Sequence, residues 1–343
     1  MIKALSVILL FLLPFPASLV HADVFDYQKQ TIEATVTVLP EKEAESNGRY
    51  GVVRVSFPSA LKLGYANDIV EGEFWYQKDG KPRPTIVILP VISNQLKFSE
   101  LAARNFVSCG DMNVFILYRD AKEIRKVKWR EIKNKEDFLA EAVYTRDILR
   151  QTYIDTRRIV DWLSERPEVD SSKIVIEGFS FGGIQAAAIL AIEPRFAAGV
   201  LILAGGDFTK ILLETEEKGI KGVREGILKN LGWDKETAYR KLQPIFKDID
   251  PLTYLNAERA EKLRGRVLMI NAARDQIIPP SASEKLWLAL GKPERQHSWF
   301  GHYAFAIFST PWANDFSRTF IAQVLDFSVG KNKCESASGL VPR

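Results

Sequence analysis

The feature that most constrains this chain is a serine flanked by glycines, between an apolar run and an Ala-rich segment. Residues 178–183 read Gly-Phe-Ser-Phe-Gly-Gly, and the apolar run 173–177 comes directly before them. A G-x-S-x-G pattern in this setting predicts a tight strand-to-helix turn that exposes the serine hydroxyl, with Gly178 and Gly182 as the small residues that the turn requires. The helix start behind Ser180 offers free N–H groups to a developing negative charge. Ser180 is therefore predicted to be a nucleophile, and the alternative is a glycine-rich surface turn.

Short apolar runs alternate with helical patterns over most of the chain. Continuous apolar runs indicate strands that are buried on both faces, as in a parallel sheet covered by helices; they are residues 85–89, 114–118, 173–177, 200–203 and 267–270. Helical spacing of apolar residues predicts helices over residues 98–107, 136–165, 183–192, 281–290 and 315–329. Earlier runs with period-two alternation, at 31–38, 50–57 and 73–76, predict antiparallel strands at a sheet edge. The pattern predicts a doubly wound α/β sandwich.

One stretch interrupts this alternation. Residues 208–264 lie between two buried strands, are rich in Glu and Lys, and include Trp233 and Tyr239. The stretch is too long for an ordinary connection. We interpret it as an inserted helical cap, and its position after the C-terminal end of a strand predicts that it covers the pocket.

Histidine is scarce, and this narrows the choice of a general base. A serine needs a base to act as a nucleophile at neutral pH. The chain has three histidines, His21, His297 and His302. His302 follows the last predicted strand at a loop that contains Gly301, where this architecture would deliver a base. His297 falls in that strand or its approach, so we interpret it as structural.

The base needs a carboxylate to orient it. Asp275 follows a buried strand, and Pro279 and Pro280 stiffen the loop after it. The competing candidate is Asp207, which follows the preceding strand and opens the insertion, where it could cap a helix. The chain order Ser, Asp, His favours Asp275.

The oxyanion hole is predicted to consist of two backbone N–H groups. One belongs to Phe181, the residue after the nucleophile. The other belongs to the loop after residues 85–89. Pro90 has no N–H, so Val91 is the first choice and Ile92 the second.

Both ends of the chain carry segments outside the predicted domain. Lys3, an apolar run over residues 4–16 and the sequence Val20-His21-Ala22 predict a signal peptide over residues 1–22. The run is too short, and contains too many prolines, to span a bilayer. We therefore expect a secreted or periplasmic protein with no stable membrane insertion. Residues 340–343 read Leu-Val-Pro-Arg, as in a thrombin-cleaved tag, so residues 336–343 are interpreted as a cloning remnant and residues 23–335 as a single domain.

Composition excludes several other classes of protein. The net charge of +4 comes from 47 basic and 43 acidic residues, a balance that argues against a nucleic-acid partner. Two cysteines, Cys109 and Cys334, and so few histidines cannot build a zinc ribbon, an iron–sulfur site or a disulfide-stapled scaffold. No metal or cofactor is predicted. Pairing of the two cysteines and the oligomeric state stay open.

Taken together, the elbow at residues 178–182, Asp275 and Gly301-His302 resemble the α/β-hydrolase superfamily. The run 158–170 leading into the elbow is similar to dienelactone-hydrolase-like and acetyl-xylan-esterase-like members. The resemblance covers roughly residues 73–330. It implies a mostly parallel eight-stranded sheet, with Ser180 as nucleophile, His302 as base and Asp275 as its partner. Two departures are visible: Leu89-Pro90 replaces the His-Gly common at the oxyanion loop, and a serine replaces the cysteine of true dienelactone hydrolases.

These residues predict an exported serine hydrolase that cleaves small-molecule carboxylic esters through an acyl-enzyme intermediate. A thioesterase, amidase or peptidase built on the same three residues is the first alternative. A catalytically silent binding protein is the second.

Overall fold

A computed structural model describes residues 24–92, 96–119 and 132–328. The predicted signal peptide, the predicted cloning remnant and Cys334 lie outside the described residues, and no free cysteine occurs among those described. None of the helices in the described part of the chain has the length and apolar character that a membrane crossing requires.

The centre of the fold is a nine-stranded sheet with the order β1-β2-β3-β5-β4-β6-β7-β8-β9. The strands are β1 (Thr35–Val38), β2 (Tyr50–Pro58), β3 (Ile69–Gln77), β4 (Arg83–Leu89), β5 (Asn113–Tyr118), β6 (Val169–Phe179), β7 (Phe196–Ile202), β8 (Val267–Ala272) and β9 (Glu294–Ser298). From β5 to β9 all neighbours are parallel, and β1, β2 and β3 are antiparallel additions at one edge. The prediction of continuous apolar strands in a parallel sheet is confirmed.

The sheet has one strand more than the predicted eight. The figure of eight follows from the resemblance, whereas the alternation along the chain also predicted a strand over residues 31–38. β1 forms at the end of that run, as four residues that are all exposed and that pair only with β2. Alternating Thr and Val favour an extended chain even where neither face is buried. A short strand of this kind can be added at the edge without disturbing the core.

Helices cover both faces of the sheet and give two hydrophobic cores. One core contains side chains of α2 (Lys97–Ser108), α11 (His302–Phe308) and α12 (Thr310–Val324). The other contains side chains of α3 (Lys135–Ser164), α4 (Phe181–Ile192) and α10 (Pro280–Ala289). Alternate strand residues enter opposite cores, as Ile176 and Val175 do on β6. A further short helix, α1 (Pro40–Ala44), precedes β2.

Between β7 and β8 the chain forms five helices. They are α5 (Phe208–Glu214), α6 (Lys218–Leu231), α7 (Lys235–Phe246), α8 (Pro251–Tyr254) and α9 (Ala257–Lys262). At each N-terminus a side chain accepts a backbone N–H; the capping residues are Asp207, Glu217, Asp234, Asp250 and Asn256. We call residues 208–262 the helical insert. Its buried side chains join the core under α3 and α4.

Helix ends agree with the sequence pattern to within two residues except at the last helix. That helix was predicted over residues 315–329, but it begins at Thr310 and ends at Val324. Pro311 lies in its first turn, where its missing N–H costs nothing and its fixed φ favours the helical conformation. The earlier start places Asn314 and Ala313 inside the helix, against the sheet.

Candidate active site

Ser180 lies at the turn between β6 and α4, in a backbone conformation that few residues adopt. Its φ is 56° and its ψ is −116°. A Cβ atom at Gly178 would lie 2.1 Å from the carbonyl oxygen of Gly182, and one at Gly182 would lie 2.6 Å from the carbonyl oxygen of Leu89. Any larger residue at either position would collide with the backbone. The two glycines are therefore what allows the turn to present Ser180.

The structure brings Ser180, His302 and Asp275 into one chain of hydrogen bonds. Ser180 Oγ lies 2.8 Å from His302 Nε2, and His302 Nδ1 lies 2.8 Å from Asp275 Oδ2. Asp275 follows β8, and His302 is the first residue of α11, just beyond β9. The side chains of His302 and Asp275 are both more than nine-tenths buried. This arrangement suits a serine whose proton is taken by an oriented imidazole.

The carboxylate of Asp275 is held by its own loop. Its Oδ1 accepts hydrogen bonds from the backbone N–H groups of Ile277 and Ile278, at 2.8 and 2.9 Å. Oδ2 is thereby aimed at the imidazole. An acceptor at Nδ1 favours the tautomer with a proton on Nδ1, which leaves Nε2 free to accept the serine proton.

The two competing candidates lie elsewhere. Asp207 caps α5 by accepting from Lys210 N at 3.1 Å, and it forms a 2.5 Å ion pair with Lys285 Nζ. His297 lies within β9 opposite Asn271; its side chain is exposed, and partial desolvation together with the nearby Arg295 lowers its pKa below the ordinary value. Among the described residues, neither Asp207 nor His297 forms a hydrogen bond or ion pair with Ser180 or His302.

Both residues predicted to form the oxyanion hole border one cleft. Phe181 is the first residue of α4, whose leading N–H groups have no acceptor within the helix. Val91 lies on the loop after β4, next to the Leu89–Pro90 backbone that packs against Gly182. Phe181 and Val91, together with Ile92, line the same cleft. The polar side of that cleft carries Arg119, which forms an ion pair with the buried Asp155.

Sequence reasoning missed a buried acid on β6, three residues before Ser180. Glu177, on β6, is only 3% exposed, and burial raises its pKa to about 8. Glu177 and Asn314 of α12 line the same small cavity, and neither Glu177 Oε2 nor Asn314 Nδ2 has a hydrogen-bond partner among the described residues. The signal was present in the sequence, since the apolar run 173–177 ends in a glutamate. An acid at the end of a doubly buried strand predicts a perturbed pKa.

The helical insert contacts both the nucleophile turn and the loop of the acid. The ring of Phe208, the first residue of α5, lies 6.5 Å from the ring of Phe181. Glu216 N donates to Gln276 O at 2.9 Å, next to Asp275. Trp233, by contrast, packs against Phe138 of α3, with ring centroids 5.8 Å apart. The part of the insert beside the site is therefore its beginning, in α5 and the segment after it.

A comparison with known protein families matches the part of the chain that holds Ser180 and Asp275. Residues 137–301, just under half of the chain, match the model of the prolyl oligopeptidase family. This stretch contains Ser180 and Asp275 and ends one residue before His302. No curated protein matches the chain in sequence.

Solved structures resemble the chain over more than four-fifths of its length. The acetyl xylan esterase from Paenibacillus sp. R4 is 17% identical, with a TM-score of 0.60 over 86% of this chain and 89% of its own. Acetyl xylan esterase 1 from Thermoanaerobacterium sp. JW/SL YS485 is 16% identical, with a TM-score of 0.59 over 88% and 91%. A prolyl endopeptidase structure is 15% identical, with a TM-score of 0.52 over 82% of this chain but only 39% of its own. Likeness at these identities shows the fold, and it confirms the predicted α/β sandwich.

Proposed function

We propose that this serine hydrolase of the α/β-hydrolase superfamily cleaves carboxylic esters of small molecules through an acyl-enzyme intermediate. The observation that supports the proposal most strongly is the hydrogen-bonded series Ser180–His302–Asp275, with 2.8 Å at each step. Three side chains from loops that are distant in the sequence meet with the geometry that nucleophilic catalysis requires.

The proposed reaction proceeds in two halves. In the first, Ser180 Oγ attacks the ester carbonyl while His302 Nε2 takes the serine proton and then donates it to the departing alcohol. In the second, His302 takes a proton from the water that attacks the acyl carbon, the bond from that carbon to Ser180 Oγ breaks, and His302 returns the proton to Oγ as the acid is released. Asp275 holds the imidazole and stabilises its charged form. The N–H groups of Phe181 and Val91 are proposed to bind the oxyanion in both halves.

The nature of the substrate is inferred from the cleft and from the structural neighbours. The cleft bordered by Phe181 and Val91 is small; Ile148 and Leu149 of α3 line one part of its wall, and polar side chains that include Arg119 line another. The apolar part of the wall suits a short acyl group. Two neighbours that match almost the full chain are described as acetyl xylan esterases. We therefore propose esters with a short acyl group as the first substrates to examine.

Peptide or amide hydrolysis is the second candidate. The observation that favours it is the match of residues 137–301 to the prolyl oligopeptidase family. The same three residues can cleave amides and thioesters, because only the leaving group differs. A direct comparison of substrates separates these activities.

A substrate panel with the purified protein tests the proposal. p-Nitrophenyl esters of graded acyl length are compared with thioesters and peptide anilides, in the presence and absence of a fluorophosphonate. We expect the highest kcat/KM on an ester and complete inhibition by the fluorophosphonate. Faster turnover of a peptide anilide would favour the peptidase, and an unlabelled, inactive protein would indicate a binding function.

We also propose that the protein acts after export. The support is the sequence of residues 1–22. Expression of the full chain in a bacterial host, followed by mass spectrometry of the periplasmic or secreted protein, should show a mature N-terminus at Asp23. Retention of residues 1–22 in a cytoplasmic product would contradict this.

A further inference from the structure

A cluster of large apolar side chains is exposed beside the proposed active site. Its members are exposed to between 41% and 82% of their surface: Trp299, Phe300, Tyr303, Ile307, Phe308 and Trp312. We call these six residues the exposed aromatic surface. They fall within a 14-residue span, and no Asp, Glu, Lys or Arg stands between Arg295 and Asp315.

The exposed aromatic surface is part of the element that carries His302. The loop before His302 supplies Trp299 and Phe300, and α11, which begins at His302, supplies three more members. The ring of Tyr303 lies 5.7 Å from the ring of His302. On the same helix Phe305 is fully buried and fixes the inner face. Because the buried Phe305 fixes the orientation of α11, the apolar side chains on its outer face stay exposed.

The exposed area of this surface is large for a protein surface that contacts only water. If each large side chain offers about 150–250 Å², the exposed fractions of the six residues sum to roughly 700 Å² of mostly apolar surface. The largest apolar patch on a typical monomer is about 300–600 Å², and larger ones mark contact sites. Phe300 and Phe308 touch each other, with centroids 5.8 Å apart, so the surface is partly continuous.

We propose that the exposed aromatic surface docks onto an anionic lipid layer and delivers ester substrates from that layer to Ser180. This rests on the proposed esterase function. Tryptophan and tyrosine favour the lipid–water interface because each joins an apolar ring to a polar group. The exposed Arg274 lies at the edge of the surface, where its backbone N–H donates to Phe300 O at 3.3 Å. Positive charge at such an edge attracts anionic headgroups.

A second copy of the chain suits this position less well. A partner protein seated here would cover the loop and helix that carry His302 and would obstruct the approach to Ser180. A lipid layer also covers this region, but it supplies the substrate. We therefore propose a lipid layer, because the exposed aromatic surface lies beside His302, where only an occupant that supplies substrate leaves the enzyme active.

The test measures binding without catalysis. Full-length mature protein carrying Ser180→Ala is mixed with vesicles of equal parts phosphatidylcholine and phosphatidylglycerol, and binding is followed by flotation and by tryptophan emission. The surface variant adds Trp299→Ser and Ile307→Ser. The matched control instead adds Val36→Ser and Val38→Ser, two exposed residues of β1 at the opposite edge of the sheet, 48% and 53% exposed.

We expect the Ser180→Ala parent and the β1 control to bind equally and the surface variant to bind at least about tenfold more weakly, as the loss of two apolar contacts implies. Equal binding by all three proteins, or binding by none, overturns the proposal. Light scattering provides the remaining outcome: a dimeric parent and a monomeric surface variant, with no vesicle binding, would assign the surface to a second copy and also overturn it.

An activity measurement keeps the two proposals separate. If the parent binds vesicles but the wild-type enzyme cleaves no ester, the docking surface stands and the esterase proposal fails. If the wild-type enzyme cleaves soluble esters but the parent does not bind vesicles, the reverse holds.

Discussion

The backbone of Ser180 is held in a conformation that normally costs about 1–3 kcal/mol for a residue with a side chain. Two hydrogen bonds hold it there, from Ser180 N to Ile202 O at 2.8 Å and from Ile184 N to Ser180 O at 3.1 Å. The first ties Ser180 to the neighbouring strand β7, and the second ties it to helix α4. The backbone of Ser180 is therefore held in place by β7 and α4, and this fixes where its side chain begins.

Replacing Ser180 with alanine should remove catalysis and preserve the fold. The backbone bonds that hold the turn remain, whereas the attacking oxygen is lost. We expect kcat/KM on the best ester to fall by about 10⁴ to 10⁶. Circular dichroism should show an unchanged fold, and retention of more than about a tenth of the activity would refute the role of Ser180.

The two aspartates that follow β7 and β8 should respond in opposite ways to the same change. Asp275→Asn presents an amide to His302 Nδ1 and favours the wrong tautomer, so the rate should fall by about 10⁴. Asp207→Asn keeps a side chain that caps the helix and loses only the charge that pairs with the half-exposed Lys285, so it should cost less than about 1 kcal/mol and stay active. Ester hydrolysis by the two folded variants decides the matter, and the reverse pattern would show that the acid is wrongly assigned.

Glu177 should make stability depend on pH. Its pKa is about 8 in the folded protein against an ordinary value of 4.5, because the side chain is buried. The folded state then holds a proton that the unfolded state releases, so stability falls as pH rises from about 4.5 to about 8. Glutamine cannot ionise, and Glu177→Gln should therefore stabilise the protein by about 3 kcal/mol more at pH 8 than at pH 5. Urea unfolding at both pH values measures this, and an equal effect at the two pH values would show that Glu177 titrates normally.

At the scale of elements, the helical insert reaches the turn of Ser180 through one ring contact and the loop of Asp275 through one backbone hydrogen bond. Phe208 touches Phe181, and it also packs on Phe246 of α7, with centroids 5.2 Å apart. The composition of residues 208–264 drew attention to Trp233, but that ring packs on α3. Sequence alone could not distinguish the two, since the contacts depend on how the insert folds back over α3 and α4.

A matched pair of variants tests this difference. Phe208→Leu should change the ratio of kcat/KM between long and short acyl esters by about threefold or more, a small fraction of what a reshaped apolar pocket can supply. Trp233→Leu should leave the ratio unchanged although it also loses a ring contact. Equal shifts in both variants, or none in either, would mean that α5 does not shape the acyl pocket.

Much of the element order was predictable because burial leaves a strong imprint on sequence. The runs at 85–89, 114–118 and 267–270 became strands since only a parallel sheet buries both faces of a strand. The start of α12 at Thr310 was missed because Pro311 reads as a helix breaker unless its place in the first turn is known. A strand was predicted over residues 31–38, but only residues 35–38 pair with β2, because an exposed edge strand leaves no burial pattern that marks where it begins.

At the scale of the whole molecule, the sheet explains how residues far apart in sequence meet. Ser180, Asp275 and His302 each follow the C-terminal end of a parallel strand, β6, β8 and β9, and such ends lie along one edge. This regularity made the three residues predictable from their positions after strands. The cavity between Glu177 and Asn314 was not predictable, because it depends on how α12 packs over β6. The exposed aromatic surface was visible only as an uncharged span, and its exposure required the fold.

Active-site labelling tests the central claim most directly, that Ser180 is the nucleophile of an esterase. The wild-type protein is titrated with a fluorophosphonate while p-nitrophenyl acetate hydrolysis is followed, and the labelled peptide is identified by mass spectrometry. We predict a single phosphonyl group per chain, on the peptide that contains Ser180, with activity lost in proportion to labelling. Label on any other residue, or full labelling of Ser180 with esterase activity retained, would contradict the account.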